Sequence, residues 1–159
     1  MKKLIALSIL LSLSLSLDLY SQDSRALRAA RMSFSSAERN FKNSSFEEAA
    51  REYAIVINTI PASTDSRKHL EMRLESLIKL VDIHFYHHVN VSKACEYVQQ
   101  YSTNMNVVRN QGTLRASTLL TYQRVEQEFA SEHEPKCRAY KGIDSDMDRF
   151  KQKFEEEFE

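Results

Sequence analysis

Glycine and proline are almost missing from this 159-residue chain: Gly112, Gly142, Pro61 and Pro135 are all it has. So few breakers leave no glycine loop able to cradle a phosphate and little to interrupt helices. Cysteine is as scarce, with only Cys95 and Cys137, and these form neither a CxxC pair nor a metal-ligand spacing. Excess charge is missing too. The 22 basic and 22 acidic residues cancel, so no bulk field favours nucleic acid. HExxH and GxSxG do not occur, and no low-complexity linker or second domain is visible. No catalytic signature is present, so the chain reads as a non-enzyme that needs no cofactor.

What is plentiful is Ala, Leu, Glu, Lys and Arg, the residues that favour helix. The chain begins MKKLIALSILLSLSLSL, with Lys2 and Lys3 ahead of an uncharged Leu/Ser/Ile run ending at Leu17. This pattern is that of a secretory signal peptide, residues 1–21, with cleavage before Gln22. A transmembrane helix is the competing reading, but the run is shorter than the ~20 apolar residues a bilayer needs and is diluted by serine. No cysteine nearby supports a lipid anchor. The expected mature chain, 22–159, carries 20 basic and 21 acidic residues. It is expected in a bacterial periplasm or outside the cell, with no stable membrane span, and its length suits one helical domain.

Apolar residues recur at steps of three and four through six candidate helices, so the fold class is all-α. The first places Leu27, Ala30, Phe34, Ala37 and Phe41 on one face and ends near Asn43. Ser45 with Glu48 is a capping-box pattern opening the second, where Phe46, Ala49, Tyr53, Val56 and Ile60 continue to Pro61. The tight connection makes this pair antiparallel. Leu70, Leu74, Leu77, Val81 and Phe85 mark the third helix, running toward His88. Asn90 caps the fourth, which turns Val91, Ala94, Cys95, Val98 and Tyr101 inward. STNMNVVRNQGT is the least regular stretch. Leu119, Tyr122, Val125 and Phe129 define a fifth helix from about Leu114 to Ser131; Ile143, Met147, Phe150, Phe154 and Phe158 define a sixth.

FKNSSFEEAAREYAIVINTIP resembles a tetratricopeptide repeat. Ala49 matches the small position where the two helices touch, Tyr53 the aromatic four residues on, and Pro61 the terminal proline. Val56 replaces the usual second alanine. A looser second unit has Ile78, Val81, Phe85, Ala94 and Val98 in corresponding places and lacks the proline. Ala49 and Ala94 are 45 residues apart rather than the family's 34, so the third helix must be longer or its approach irregular. The resemblance covers roughly Leu27 to Tyr101. It implies a right-handed stack of three antiparallel hairpins, at 22–62, 63–105 and 112–159, whose groove binds a protein or peptide segment. On that reading, Arg28, Arg31, Arg39, Arg67 and Arg73, on the charged side of helices one and three, would meet an acidic partner.

Two further groups bear on chemistry. In DIHFYHH, His84 and His88 are four apart, with His87 and Asp82 nearby, a spacing able to hold two imidazoles on one divalent metal. This supports an alternative function, a metal-binding or metal-sensing bundle. The plainer reading ends the apolar stripe at His88 and leaves His84 and His87 on the wet side. Glu132, His133 and Glu134 read as a loop before Pro135, and the FEEEFE end as the outer face of the last helix. Cys95 and Cys137 are expected to form a disulfide, because an exported chain meets an oxidising compartment.

Overall fold

The computed structural model describes residues 25–88 and 90–143. The expected signal peptide and most of the expected sixth helix, including Met147, Phe150, Phe154 and Phe158, lie outside them. Among the described residues every regular element is helical and there is no strand. Helix α1 covers residues 25–42, α2 Phe46–Thr59, α3 Arg67–Asp82, α4 Val91–Gln111 and α5 Ala116–Glu128. α3 runs on through a π-helical turn, Ile83–His87. α5 does the same through Phe129–His133 and then continues as α-helix over residues 134–143.

α1 and α2 are joined by a three-residue turn. Ser44 takes the left-handed conformation, φ 60°, and two backbone bonds close the helix end: the Ser44 N–H donates to the Phe41 carbonyl and the Ser45 N–H to that of Asn40. Ser45 is the N-cap of α2, but its side chain makes no capping bond, so the expected capping box does not form. Glu48 instead accepts from Arg51. The pair is antiparallel, since Phe41 meets Phe46 near the turn and Phe34 meets Tyr53 farther away.

The other directions follow from which residues meet. α3 antiparallels α2, with Phe46 stacked on His87 at one end and Arg73 against Ile60 at the other. α4 antiparallels α3, because His84 stacks on Tyr97 while Arg73 reaches Asn104. α1 and α3 run parallel: Arg31 meets His69 across 38 residues, and Lys79 lies over the Phe41 ring at the same separation. α3 and α5 are also parallel, with Tyr122–Glu75 and Tyr86–His133 both 47 residues apart.

α3 is the hub. Leu70, Leu74, Leu77, Leu80 and Ile83 are wholly buried, together with Ala37, Ala49, Tyr53, Tyr101 and Met105 on its neighbours. Ala30, Val56, Ile60 and Met72 form a smaller cluster between α1, α2 and α3. Burying apolar area of this kind at ~25 cal/mol per Å² is the main favourable term in the fold.

Two expected boundaries move. The stretch that looked irregular is the second half of α4, where Tyr101, Met105 and Val108 continue the buried stripe past weak helix formers. Asn104 is buried within it and donates to the Gln100 carbonyl at 2.5 Å. The helix stops at Gly112, whose φ of 66° is left-handed. Glu132, His133 and Glu134 are not a loop, because the π-helical turn carries α5 through them. Pro135 has no N–H for the Ser131 carbonyl, and the wider turn just ahead of it relieves the ring's clash with the preceding turn.

Candidate functional site

The five arginines expected on one charged side are not equivalent. Arg28 and Arg39 project from the exposed side of α1, and no described residue pairs with either. Arg31, also on α1, points Nε and Nη2 at the Nε2 of His69, 3.1 and 2.9 Å away. Both arginine nitrogens can only donate, so His69 accepts through Nε2 and carries its proton on Nδ1. Burial, then the charges of Arg31 and Lys68, push the His69 imidazole below its ordinary pKa. Arg67 lies at the surface and pairs with Glu71 at 3.6 Å.

Arg73 corrects the expectation. Its guanidinium is drawn inward between α2, α3 and α4, donating to the carbonyls of Ile57 and Ile60 and, at 2.6 Å, to Asn104 Oδ1. The reason lies at the end of α2, where the last helical carbonyls have no N–H ahead of them and Pro61 can supply none. Arg73 closes that end from the neighbouring helix, so it belongs to packing rather than to an open face.

Tyrosine hydroxyls make further ties between helices. Tyr53 donates to Glu38 Oε1 at 2.5 Å, Tyr101 to the Tyr122 carbonyl at 3.0 Å, and Tyr122 to Glu75 Oε1 at 3.0 Å. Burial raises the pKa of all three phenols, and the neighbouring carboxylates raise it further, so they remain hydrogen-bond donors. Ala49 and Tyr53 are fully buried, while Pro61 is exposed just past the end of α2. The sequence reading missed His69, Ser76 and Asn104 as buried polar groups; a polar residue at a stripe position was the only available signal.

The histidine cluster is spread apart by the π-helical turn, which adds a residue per turn and so shifts every side chain after it from α-helical phase. His84 is buried and stacked on Tyr97, with ring centroids 5.6 Å apart. His87 lies flat on Phe46 at 3.7 Å, and His88 is exposed. The plainer reading of this segment is therefore corrected at two places: His84 is not on the wet side and His88 does not end the buried stripe. Among the described residues no three His, Cys, Asp or Glu side chains gather closely enough to hold a metal.

The second π-helical turn packs against the first. His133 contacts the rings of Phe85, Tyr86 and Phe129, and Tyr86 Oη lies 3.3 Å from its Nε2. Burial is the main cause that lowers the proton affinity of both His84 and His133.

Cys95 and Cys137 are joined by a disulfide, with Cα atoms 5.6 Å apart, tying the start of α4 to the far stretch of α5. Cys95 is half-buried rather than inward; Ala94 takes the buried position. The bond lines a cleft of ≈ 530 Å³ between the two helices. No described helix is long and apolar enough to cross a membrane. No family model matches the chain, and no curated protein or solved structure matches it either.

Proposed function

We propose that this chain is an exported, non-catalytic helical scaffold of the bacterial cell envelope, with its hairpins stacked in the tetratricopeptide manner. In this reading its charged side binds an acidic segment of another protein. The observation that carries the proposal is the alternation of helix directions. α1, α3 and α5 run parallel, at sequence offsets of 38 and 47, with α2 and α4 returning between them. Successive first helices of hairpins aligned in this way are the basis of a stack with one continuous face. The offsets exceed the family's period of 34, which fits the added length of α3 and α4.

Arg28, Arg39 and Arg67 are the arginines that remain for a partner, with Arg31 shared between that face and His69. Exposed contacts of this type matter little singly and are screened by salt, so several have to be reversed together. The test is crosslinking in the envelope, followed by binding of the identified partner to the chain and to a variant carrying Arg28→Glu, Arg39→Glu and Arg67→Glu. The variant should keep its helical circular dichroism and lose binding, more so at low salt. Equal binding by the folded variant would show that this is the wrong surface. Recovery of an uncleaved chain beginning at Met1 would remove the export part of the proposal.

A further inference from the structure

The bond between Cys95 and Cys137 does not seal a packed contact. It lines the cleft that separates α4 from the far stretch of α5, residues 134–143, and both cysteines are half-buried rather than enclosed. A disulfide opens when a thiolate attacks one of its sulfurs, so access sets its lability, and exposed disulfides are the ones that exchange.

The stretch that this bond holds has little else to hold it. No residue from 134 to 143 is buried, and the buried positions of α5 end at Phe129 and His133. The ion pair of Arg138 with Glu134 lies within the stretch itself. Among the described residues, the side chains of 134–141 make one charge or ring interaction with another helix, Lys136 over the rings of Phe85 and Tyr86. That contact is exposed and of small worth. A free helix shorter than ~12–15 residues is marginal in water, and Pro135 and the π-helical turn before it mark the natural hinge.

The facing wall tolerates being uncovered. On α4 it presents Glu96, Gln99, Ser102, Thr103 and Asn106, all of them polar, while Val98 already belongs to the core. Both core clusters are built from residues no later than Phe129 and include neither cysteine. Parting the sulfurs therefore frees the stretch without opening the core.

We infer that the Cys95–Cys137 bond is a reducible clasp, opened by a protein dithiol, that releases residues 134–143 from α4 and bares the α4 wall of the cleft. A thiolate of the dithiol attacks one sulfur, the S–S bond breaks, and the other cysteine leaves as a thiolate that takes up a proton. The second thiol of the dithiol then displaces the first cysteine. Two electrons pass to the pair, which ends as two thiols, and the dithiol ends as a disulfide. The clasp shares no residue with the arginine face and involves no acidic partner, so its failure leaves the scaffold proposal standing.

The experiment treats the folded mature chain, without denaturant, with dithiothreitol and separately with reduced thioredoxin. Free thiols are trapped by alkylation, and amide hydrogen exchange is read by mass spectrometry. Both reductants should open the bond. Exchange should then quicken roughly tenfold or more over 134–143 and stay unchanged in α1, α2 and α3. A chain carrying Cys95→Ser and Cys137→Ser should fold and show the same pattern with no reductant. The inference is overturned if thioredoxin leaves the bond closed, if either reductant needs a denaturant, or if 134–143 keeps its protection once the bond is open. Loss of protection in α1–α3 on reduction, or failure of the serine variant to fold, overturns it equally.

Discussion

Two nitrogens of Arg31 on α1 converge on a single nitrogen of His69 on α3. That geometry requires a neutral imidazole, and protonation would set two cations against each other at a part-buried contact. His84 and His133 are likewise held below the ordinary histidine pKa by burial. For a group whose folded pKa is lowered, the unfolded chain binds protons more readily. Stability is therefore complete above about pH 6.5 and declines as the pH falls below it, by at most about 1.4 kcal/mol per pH unit for each histidine. Urea unfolding should show a lower midpoint at pH 5 than at pH 7.5. His69→Gln, which retains an acceptor for Arg31, should reduce that difference; an unchanged pH profile in the variant would show that His69 does not contribute.

Arg73 gives a sharper stability test. Arg73→Met keeps most of the apolar stem but removes the donors to Ile57, Ile60 and Asn104. Leaving these half-buried acceptors unpaired should cost roughly 2–4 kcal/mol. Arg28→Met, on the open side of α1, should change stability by less than about 0.5 kcal/mol. Chemical denaturation of the two variants side by side decides whether Arg73 is a packing residue.

The disulfide closes a separation of 42 residues. On the loop-entropy model its reduction should remove about 4 kcal/mol of stability, less any strain released. The doubly substituted Cys95→Ala, Cys137→Ala chain should therefore melt at a lower temperature and no longer respond to reductant. Thiol titration of the unfolded, unreduced chain should find no free thiol.

The two glycines separate backbone effects from packing, because a Cβ added at either would meet nothing within 4 Å. Gly112 ends α4 at φ 66°, so Gly112→Ala should cost about 1 kcal/mol. Gly142 is helical, and Gly142→Ala should stabilise by up to about 1 kcal/mol. Thermal melts of opposite sign would confirm both assignments.

The helical class and most of the core were legible in the sequence because steps of three and four state which face is buried. Ala30, Ala37, Ala49, Tyr53, Leu70, Leu74, Leu77, Val98, Tyr101 and Tyr122 are all buried as the spacing indicated. The histidine geometry was not legible. A π-helical turn leaves little trace in composition, yet it shifts the side chains that follow it, which is why His88 turns out, whereas His84, three residues after Val81 and seven after Leu77, keeps the phase of the buried stripe. Arg73 was misplaced for another reason. Its neighbours Met72 and Leu74 showed that it lay beside the stripe, but the pull of carbonyls at the end of a different helix is a tertiary effect. The capping box failed because Glu48 is engaged by Arg51 and Ser45 is shaped by the left-handed residue before it.

The bond between Cys95 and Cys137 also divides the protein mechanically. If the chain were stretched from its two ends, the residues from 95 to 137 would form a closed loop that carries no load. Most of α4 and all of the α5 core segment lie in that loop. About 150 Å of contour would stay hidden until the sulfurs part, at the reach of an extended chain. Helices α1, α2 and α3 lie outside the loop and have no such limit. A chain held at both ends would therefore lengthen through its α1–α3 half and keep its α4–α5 half short.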